Sequence, residues 1–369
     1  MSQDLTPLLK PFSCKSLQLA NRVAMAPMTR MRSPGYVPND EVAGYYRRRA
    51  EGGVGLIITE GTTVNHKAAN GYEQVPAFHG EALTGWKQVV DDVHAAGGSI
   101  VPQLWHVGGI RKPGIGPDKD VPGYSPSGCH APGKCKGHAM SKQDIDDVIR
   151  AFAEGARDAK TLGFDGVEIH GAHGYLIDQF FWAGTNLRED EYGGSLENRG
   201  RFAKEIVEAV RAEVGEDFTI ILRWSQWKQQ DYSARLVETP EQLAEFLAPL
   251  VEAGVDIFHC SQRRFWEPEF EGSDLNLAGW VKKLTGKPTM SVGSVGLDGD
   301  FIGNSQMGMG GDAGLSDIDE LVERMARDEF DLIAVGRALL QDPQWLNKIR
   351  DGRADELKPY DKLALATLS

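Results

Sequence analysis

Apolar residues gather into eight short runs, at positions 23–27, 55–59, 100–104, 166–169, 219–223, 256–260, 289–293 and 332–336. The runs are continuous rather than alternating and rich in Val and Ile, as expected of parallel strands buried on both faces. Between them lie longer segments with apolar positions at helical spacing, such as Ile145, Val148, Ile149, Phe152 and Ala156. Several carry helix-start signatures. Ser141 with Asp144 predicts a capping box; Thr239, Pro240 and Gln242 combine a cap, a first-turn proline and a capping-box glutamine; Ser316 with Asp319 repeats the motif. Eight strands alternating with helices predict a single (β/α)8 barrel over 1–369 rather than a doubly wound sheet. Residues 8–20 read as an N-terminal hairpin that closes one end.

The rhythm is interrupted at 107–140, a Pro/Gly-rich segment far longer than a usual βα loop, which predicts a lid after strand three. Shorter insertions at 226–237, 262–274 and 298–314 also follow strands, on the face where barrel active sites form. The letters GMGGDA at 308–313 match a dinucleotide fingerprint, but no strand precedes them, so the match is rejected.

Residues at the C-terminal ends of barrel strands point into the mouth. Here they are Thr29, Glu60, Gln103, His106, His170, His173, Arg223, Gly293, Gly336 and Arg337. The set lacks a strand-end lysine for a Schiff base and the His-x-His pattern of a binuclear metal centre. The stretch GVEIHGAHGY at 166–175 organises the rest, because the strand breaks at once into His170, His173 and Tyr175. Two histidines three apart among small residues favour a donor pair over scaffold. Tyrosine, with an ordinary pKa of about 10, is protonated at neutral pH and can serve as a general acid; its plainer reading is a core aromatic. Glycines at 292–296 (VGSVG) and at 336, followed by Arg337, read as a phosphate cradle after strands seven and eight. A buried Arg223 requires an anionic or electron-rich partner, and Glu168, Glu60 or a cofactor ring all remain open. A metal-dependent barrel hydrolase using His106, His170, His173 and His259 is the competing reading from another class.

Composition narrows the partners. Forty basic against fifty-three acidic residues leave a net charge of -13, which argues against nucleic acid or an anionic membrane and for a small-molecule substrate. No stretch approaches the ~20 apolar residues of a membrane span, and the N-terminus has no signal pattern, so a cytoplasmic protein is expected, as monomer or homodimer. Cys14, Cys129, Cys135 and Cys260 are too few and scattered for a disulfide framework. The close pair Cys129/Cys135 lacks zinc spacing, so no metal is expected and reduced, idle thiols are.

Together these residues resemble the old yellow enzyme family of FMN-dependent ene reductases. The resemblance runs through NRVAMAPMTRMRS (21–33), VPQLWHVGG (101–109), HGAHGYLIDQF with TNLREDEYGGSLENRGRF (within 166–202), and LIAVGRALLQDPQW (332–345). It implies FMN in the barrel mouth, with Pro27, Met28 and Thr29 beside the isoalloxazine and Glu60 and Gly61 under it. Gln103 and Arg223 would bond its polar edge; Gly293, Gly336 and Arg337 would take its phosphate. Thr29 marks the threonine-bearing type. His170 and His173 would bind the carbonyl oxygen of an α,β-unsaturated substrate, Tyr175 would protonate its α-carbon, and Trp105 would line the pocket. NADPH or NADH would be the reductant in a ping-pong cycle. Nitro-esters or nitroaromatics are the alternative acceptors. WSQWKQQDY after Arg223 departs from the family's usual Ser-Pro turn, and GCHAPGKC makes the lid atypical, so both bear on substrate preference.

Overall fold

The computed structural model describes residues 4–299 and 311–369. Eight parallel strands close into a barrel in sequence order: β1 Val23–Met25, β2 Leu56–Thr63, β3 Ser99–Trp105, β4 Gly166–His173, β5 Thr219–Lys228, β6 Ile257–Ser261, β7 Thr289–Val292 and β8 Leu332–Val335. Closure between β8 and β1 pairs Ile333 with Val23 and Val335 with Met25. All eight expected runs become strands, and the predicted barrel is the observed one.

The barrel interior has two levels. Ala24, Leu56, Ile58, Val101, Ile221, Ile257, Met290, Leu332 and Ala334 form an apolar level, and Phe12, Leu17 and Leu19 of the hairpin Phe12–Cys14/Leu17–Leu19 join it from below. Burying these side chains stabilises the fold at roughly 25 cal/mol per Å² of apolar surface and seals one end. Above this level, Gln103, Glu168, Arg223 and His259 are all buried. A polar level therefore sits over an apolar plug, open only at the strands' C-terminal side.

Helices pack outside the barrel. Lys142–Leu162 starts with the predicted capping box at Ser141 and Asp144 and stops at Gly163, whose φ of 91° suits glycine. In Pro240–Ala253 the Thr239 side chain accepts from the Gln242 amide, while the Gln242 side chain reaches past the cap to the Glu238 N–H. The third expected cap differs. Helix Asp319–Ala326 follows Ile318 with no side-chain cap, because the Ser316 N–H is committed to Gly296 O and Asp317 takes the Asp319 N–H instead.

Two further expectations need correction. The strand holding His170 does not break there: β4 continues to His173, where a register shift pairs His173 with Lys228. It can do so because β5 runs five residues beyond the expected 219–223, through WSQWK. And Cys129 and Cys135 are not idle thiols. They form a disulfide across the small hairpin Cys129–Ala131/Lys134–Cys135 in the 107–140 segment, where chain reversal after Pro132-Gly133 brings them opposite each other. Tyr124–Ser125 with His138–Ala139 adds a second strand pair to that segment. The first three residues of the rejected fingerprint at 308–313 and most of the 298–314 insertion lie outside the described residues. Among the described residues, no helix is long and apolar enough to cross a membrane.

Candidate active site

His170, His173 and Tyr175 converge at the mouth. Ring centroids are 5.3 Å apart between the histidines and 5.1 Å between His170 and Tyr175. All three are buried, at 5%, 8% and 7% exposure, so each must be hydrogen-bonded or ligand-facing. Trp105 packs edge-on to Tyr175 at 4.8 Å and stacks on His170 at 6.0 Å, forming one wall. Its indole needs the space beside Gly61, since a Cβ there would fall 2.6 Å from the ring. The structure thus gives Gly61 a packing reason of its own.

Burial, followed by the nearby Arg223 charge, pushes both histidines well below their ordinary pKa. They are neutral imidazoles at neutral pH. His170 Nδ1 accepts from the Ala172 N–H at 3.3 Å, which leaves the proton on Nε2. His173 takes a left-handed φ of 65°, held by its N–H on Ser225 Oγ at 3.0 Å and by Nε2 against Ser261 Oγ at 2.7 Å. Trp227 stacks on its ring at 4.5 Å. Burial likewise raises Tyr175 well above its ordinary value, so its hydroxyl keeps its proton.

Behind this trio lies a buried ion pair, Lys228 Nζ to Asp178 Oδ1 at 2.6 Å, with neither side chain exposed. The second oxygen of Asp178 accepts the Gly174 N–H at 2.7 Å. The backbone between His173 and Tyr175 is therefore fixed from the protein side.

Below the trio, Glu168 accepts from Gln103 Nε2 and from His259 Nδ1, each at 2.7 Å. That leaves Gln103 Oε1 as an acceptor. Arg223, 7% exposed, makes no hydrogen bond through its Nε to any of the described residues, and burial lowers its pKa while Glu168 favours its charge. Neither carboxylate considered from sequence binds it directly. Glu60 is occupied elsewhere: Oε2 takes the Arg30 and Met31 N–H groups at 2.7 and 3.2 Å, Oε1 is buried without a partner among the described residues, and burial raises the group from its ordinary 4.5 to about 7.

On the far side of the mouth, Pro27, Met28, Gly293 and Gly336 are half-buried and Thr29 is exposed. A Cβ on Gly336 would meet only Met28 Sδ at 3.6 Å and Ala26 Cβ at 3.8 Å. Gly293 has φ 139° and its virtual Cβ lies 2.8 Å from the Arg263 carbonyl. Arg337 donates to Gly299 O and lies over the Tyr360 ring. A buried guanidinium whose Nε lacks a partner among the described residues, the Gln103 amide oxygen and open backbone at Gly336 fit a planar, electron-rich cofactor with a phosphate tail.

The hydrolase quartet does not assemble. His106 pairs with His66 at 2.9 Å and His259 with Glu168. Sequence reading missed Ser225, Trp227, Gln229 and Ser261. Ser261 was available as the residue ending β6; the others required knowing that β5 extends past Arg223.

An eight-stranded α/β barrel with neutral donors at its mouth, and a guanidinium whose Nε has no partner among the described residues, fits the barrel oxidoreductases that carry a flavin. The chain belongs to the NADH:flavin oxidoreductase / NADH oxidase family, whose profile matches residues 7–356, and its resemblance to old yellow enzymes is thereby confirmed. It is 43% identical over 215 residues to 12-oxophytodienoate reductase 1 of Oryza sativa subsp. japonica, covering 57% of this chain and 56% of that protein. It is 33% identical over 354 residues to the NADH oxidase of Thermoanaerobacter brockii, covering 93% of this chain and 50% of that protein. The chain thus spans little more than half the length of these curated relatives. Morphinone reductase, solved in complex with tetrahydroNAD, superposes with a TM-score of 0.81 at 29% identity, covering 97% of this chain and 93% of that one.

Proposed function

We propose that the protein is an FMN-dependent, NAD(P)H-consuming reductase of the activated C=C bond of α,β-unsaturated carbonyl compounds, carried on one barrel domain. The observation that carries this reading is the buried trio of neutral donors, His170, His173 and Tyr175, beside an Arg223 guanidinium whose Nε has no partner among the described residues. Arg223 and Gln103 would hold the polar edge of FMN, Pro27, Met28 and Thr29 would line its ring with the backbone at Glu60 and Gly61, and Gly293, Gly336 and Arg337 would take its phosphate; bound there, it would supply the hydride. Thr29 at the ring supports the threonine-bearing type. The net charge of -13 supports a small-molecule partner.

The chain's own residues do the rest. His170 brings an Nε2–H to the substrate carbonyl, because its Nδ1 is occupied. With the Ser261 hydroxyl, 2.7 Å away, as donor to its Nε2, His173 would carry its proton on Nδ1 and be the second donor. Neutral donors bind a developing enolate oxygen without giving up a proton outright, and each is worth roughly 10²–10³ in rate. Tyr175, still protonated at neutral pH, delivers its proton to the α-carbon. Trp105 and the lid exclude water, which strengthens both interactions.

The tests separate cofactor from acid. The purified protein is expected to be yellow and to release FMN on denaturation; a colourless protein that binds no added FMN would sink the reading. Tyr175→Phe is expected to slow reoxidation by 2-cyclohexenone by roughly 10²–10⁴ while flavin reduction by NAD(P)H proceeds. His173→Ala is expected to weaken phenolic inhibitors, which mimic the enolate, by about tenfold or more; unchanged affinity would make the pair scaffold.

A further inference from the structure

The β5 extension to Lys228 and the two residues after it grip the segment His173–Tyr175 residue by residue. Ser225 Oγ accepts the His173 N–H at 3.0 Å, the Gln229 N–H reaches His173 O at 3.4 Å, and Gln230 Nε2 reaches Gly174 O at 3.3 Å. The next residue is held through its side chain: Gln229 Nε2 lies 3.0 Å from Tyr175 Oη. The only other neighbour recorded for that hydroxyl among the described residues is Tyr72 Oη, at a marginal 3.5 Å.

A phenol oxygen has one proton and two lone pairs, and an amide nitrogen can only donate. With one lone pair filled by Gln229, the Tyr175 proton cannot point toward the amide and is left for the pocket. We propose that Gln229 is a positioning residue for proton delivery, its amide aiming the Tyr175 hydroxyl and holding the phenolate left behind. The inference rests on Tyr175 being the general acid. In the step, the Tyr175 O–H bond breaks and a C–H bond forms at the α-carbon from the enolate's electron pair. The carbonyl is restored, and the O–H pair stays on the tyrosine oxygen. Water later returns the proton. A hydrogen bond to that oxygen is stronger once it is charged, so it helps the transfer more than the resting state. Tyr175's burial and the Tyr72 contact both raise its pKa, and the Gln229 bond, with the Arg223 charge, opposes them.

Gln229 itself is exposed, its amide alone reaching inward, so truncating it removes no core packing. The experiment compares Gln229→Ala, Gln229→Glu, Tyr175→Phe and the double variant Tyr175→Phe/Gln229→Ala as holoenzymes at pH 8 by stopped flow. Gln229→Ala is expected to slow reoxidation by 2-cyclohexenone about tenfold relative to reduction by NAD(P)H, and to cost nothing further in the Tyr175→Phe background. Gln229→Glu is expected to be slower still, since a carboxylate accepts the phenol proton and turns it from the pocket. In [13Cζ]tyrosine-labelled protein, the resonance lost in Tyr175→Phe is expected to shift in both Gln229 variants. Reoxidation of Gln229→Ala at the parent rate, or an equal loss in the Tyr175→Phe background, would overturn the assignment of Gln229 alone. A Tyr175→Phe variant that reoxidises at the parent rate would overturn the general acid and this inference together.

Discussion

The two sides of the barrel mouth are built from different materials. From β2 to β5 the rim is side chains: Glu60, Gln103, Trp105, His170, His173, Tyr175 and Arg223, each placed by a hydrogen bond, ring contact or buried charge. From β7 to β8 it is mostly backbone: Gly293, Gly336 and the turn leading to Arg337. A site that must present oriented donors to a changing charge needs rigid side chains and a second layer behind them. A site for a phosphate needs N–H groups with nothing in front of them. Perturbing the first side should therefore be felt in stability and chemistry together, and perturbing the second chiefly in binding of the proposed cofactor, with a stability cost only where the backbone conformation itself demands glycine.

The largest expected effect tests the rigidity of the side-chain rim. Replacing Lys228 with Met leaves Asp178 buried without its partner, and losing one member of such a pair costs about 3–5 kcal/mol. Urea unfolding followed by tryptophan fluorescence measures it. Adding Asp178→Leu is expected to restore most of the stability, since an apolar pair can replace a buried ion pair. It cannot restore the acceptor of the Gly174 N–H, so the double variant should stay slow in reoxidation while folding well. A double variant with parent kinetics would show that Lys228 and Asp178 serve packing only.

Glu60 should show itself in the pH dependence of stability. Burial raises its folded pKa to about 7 from 4.5. The sign follows from a folded state that binds the proton more tightly: the stability it contributes is full below about pH 4.5 and is lost as pH rises through about 7. Between pH 5 and 8 this amounts to at most about 3 kcal/mol. Glu60→Gln keeps an acceptor for the Arg30 and Met31 N–H groups and removes the titration, so its stability should be flatter over that range. Parallel curves for parent and variant, from urea midpoints at several pH values, would break the argument.

How much of this was legible in the sequence follows the same division. Barrel, strand runs and glycine turns could be read because continuous apolar runs and glycines after strands are local patterns. The trio was readable because its residues lie within six positions of each other. Its supports were not: Ser261 lies 88 residues from His173, Lys228 lies 50 from Asp178, and neither separation leaves a local periodic trace. The lid disulfide escaped because two cysteines six apart are equally compatible with idle thiols until the chain reversal at Pro132-Gly133 is known.

The smallest expected effect on stability is the sharpest test of the backbone rim, and it compares two glycines on that one side. Gly293→Ala must adopt φ 139° with its Cβ 2.8 Å from the Arg263 carbonyl, so it should cost about 1–3 kcal/mol even in FMN-free protein. Gly336→Ala has room for a methyl group, with Met28 Sδ at 3.6 Å as its nearest neighbour, and should leave FMN-free stability within about 0.5 kcal/mol. If these turns take the phosphate as proposed, both should weaken FMN, read by the return of flavin fluorescence on dilution: Gly336→Ala by putting a methyl group on open backbone, Gly293→Ala by displacing the turn. An unstable Gly293→Ala that binds FMN normally would assign that glycine to the turn alone. A stable Gly336→Ala with parent affinity would move the phosphate off β8, and the division between a side-chain rim and a backbone rim would have to be redrawn.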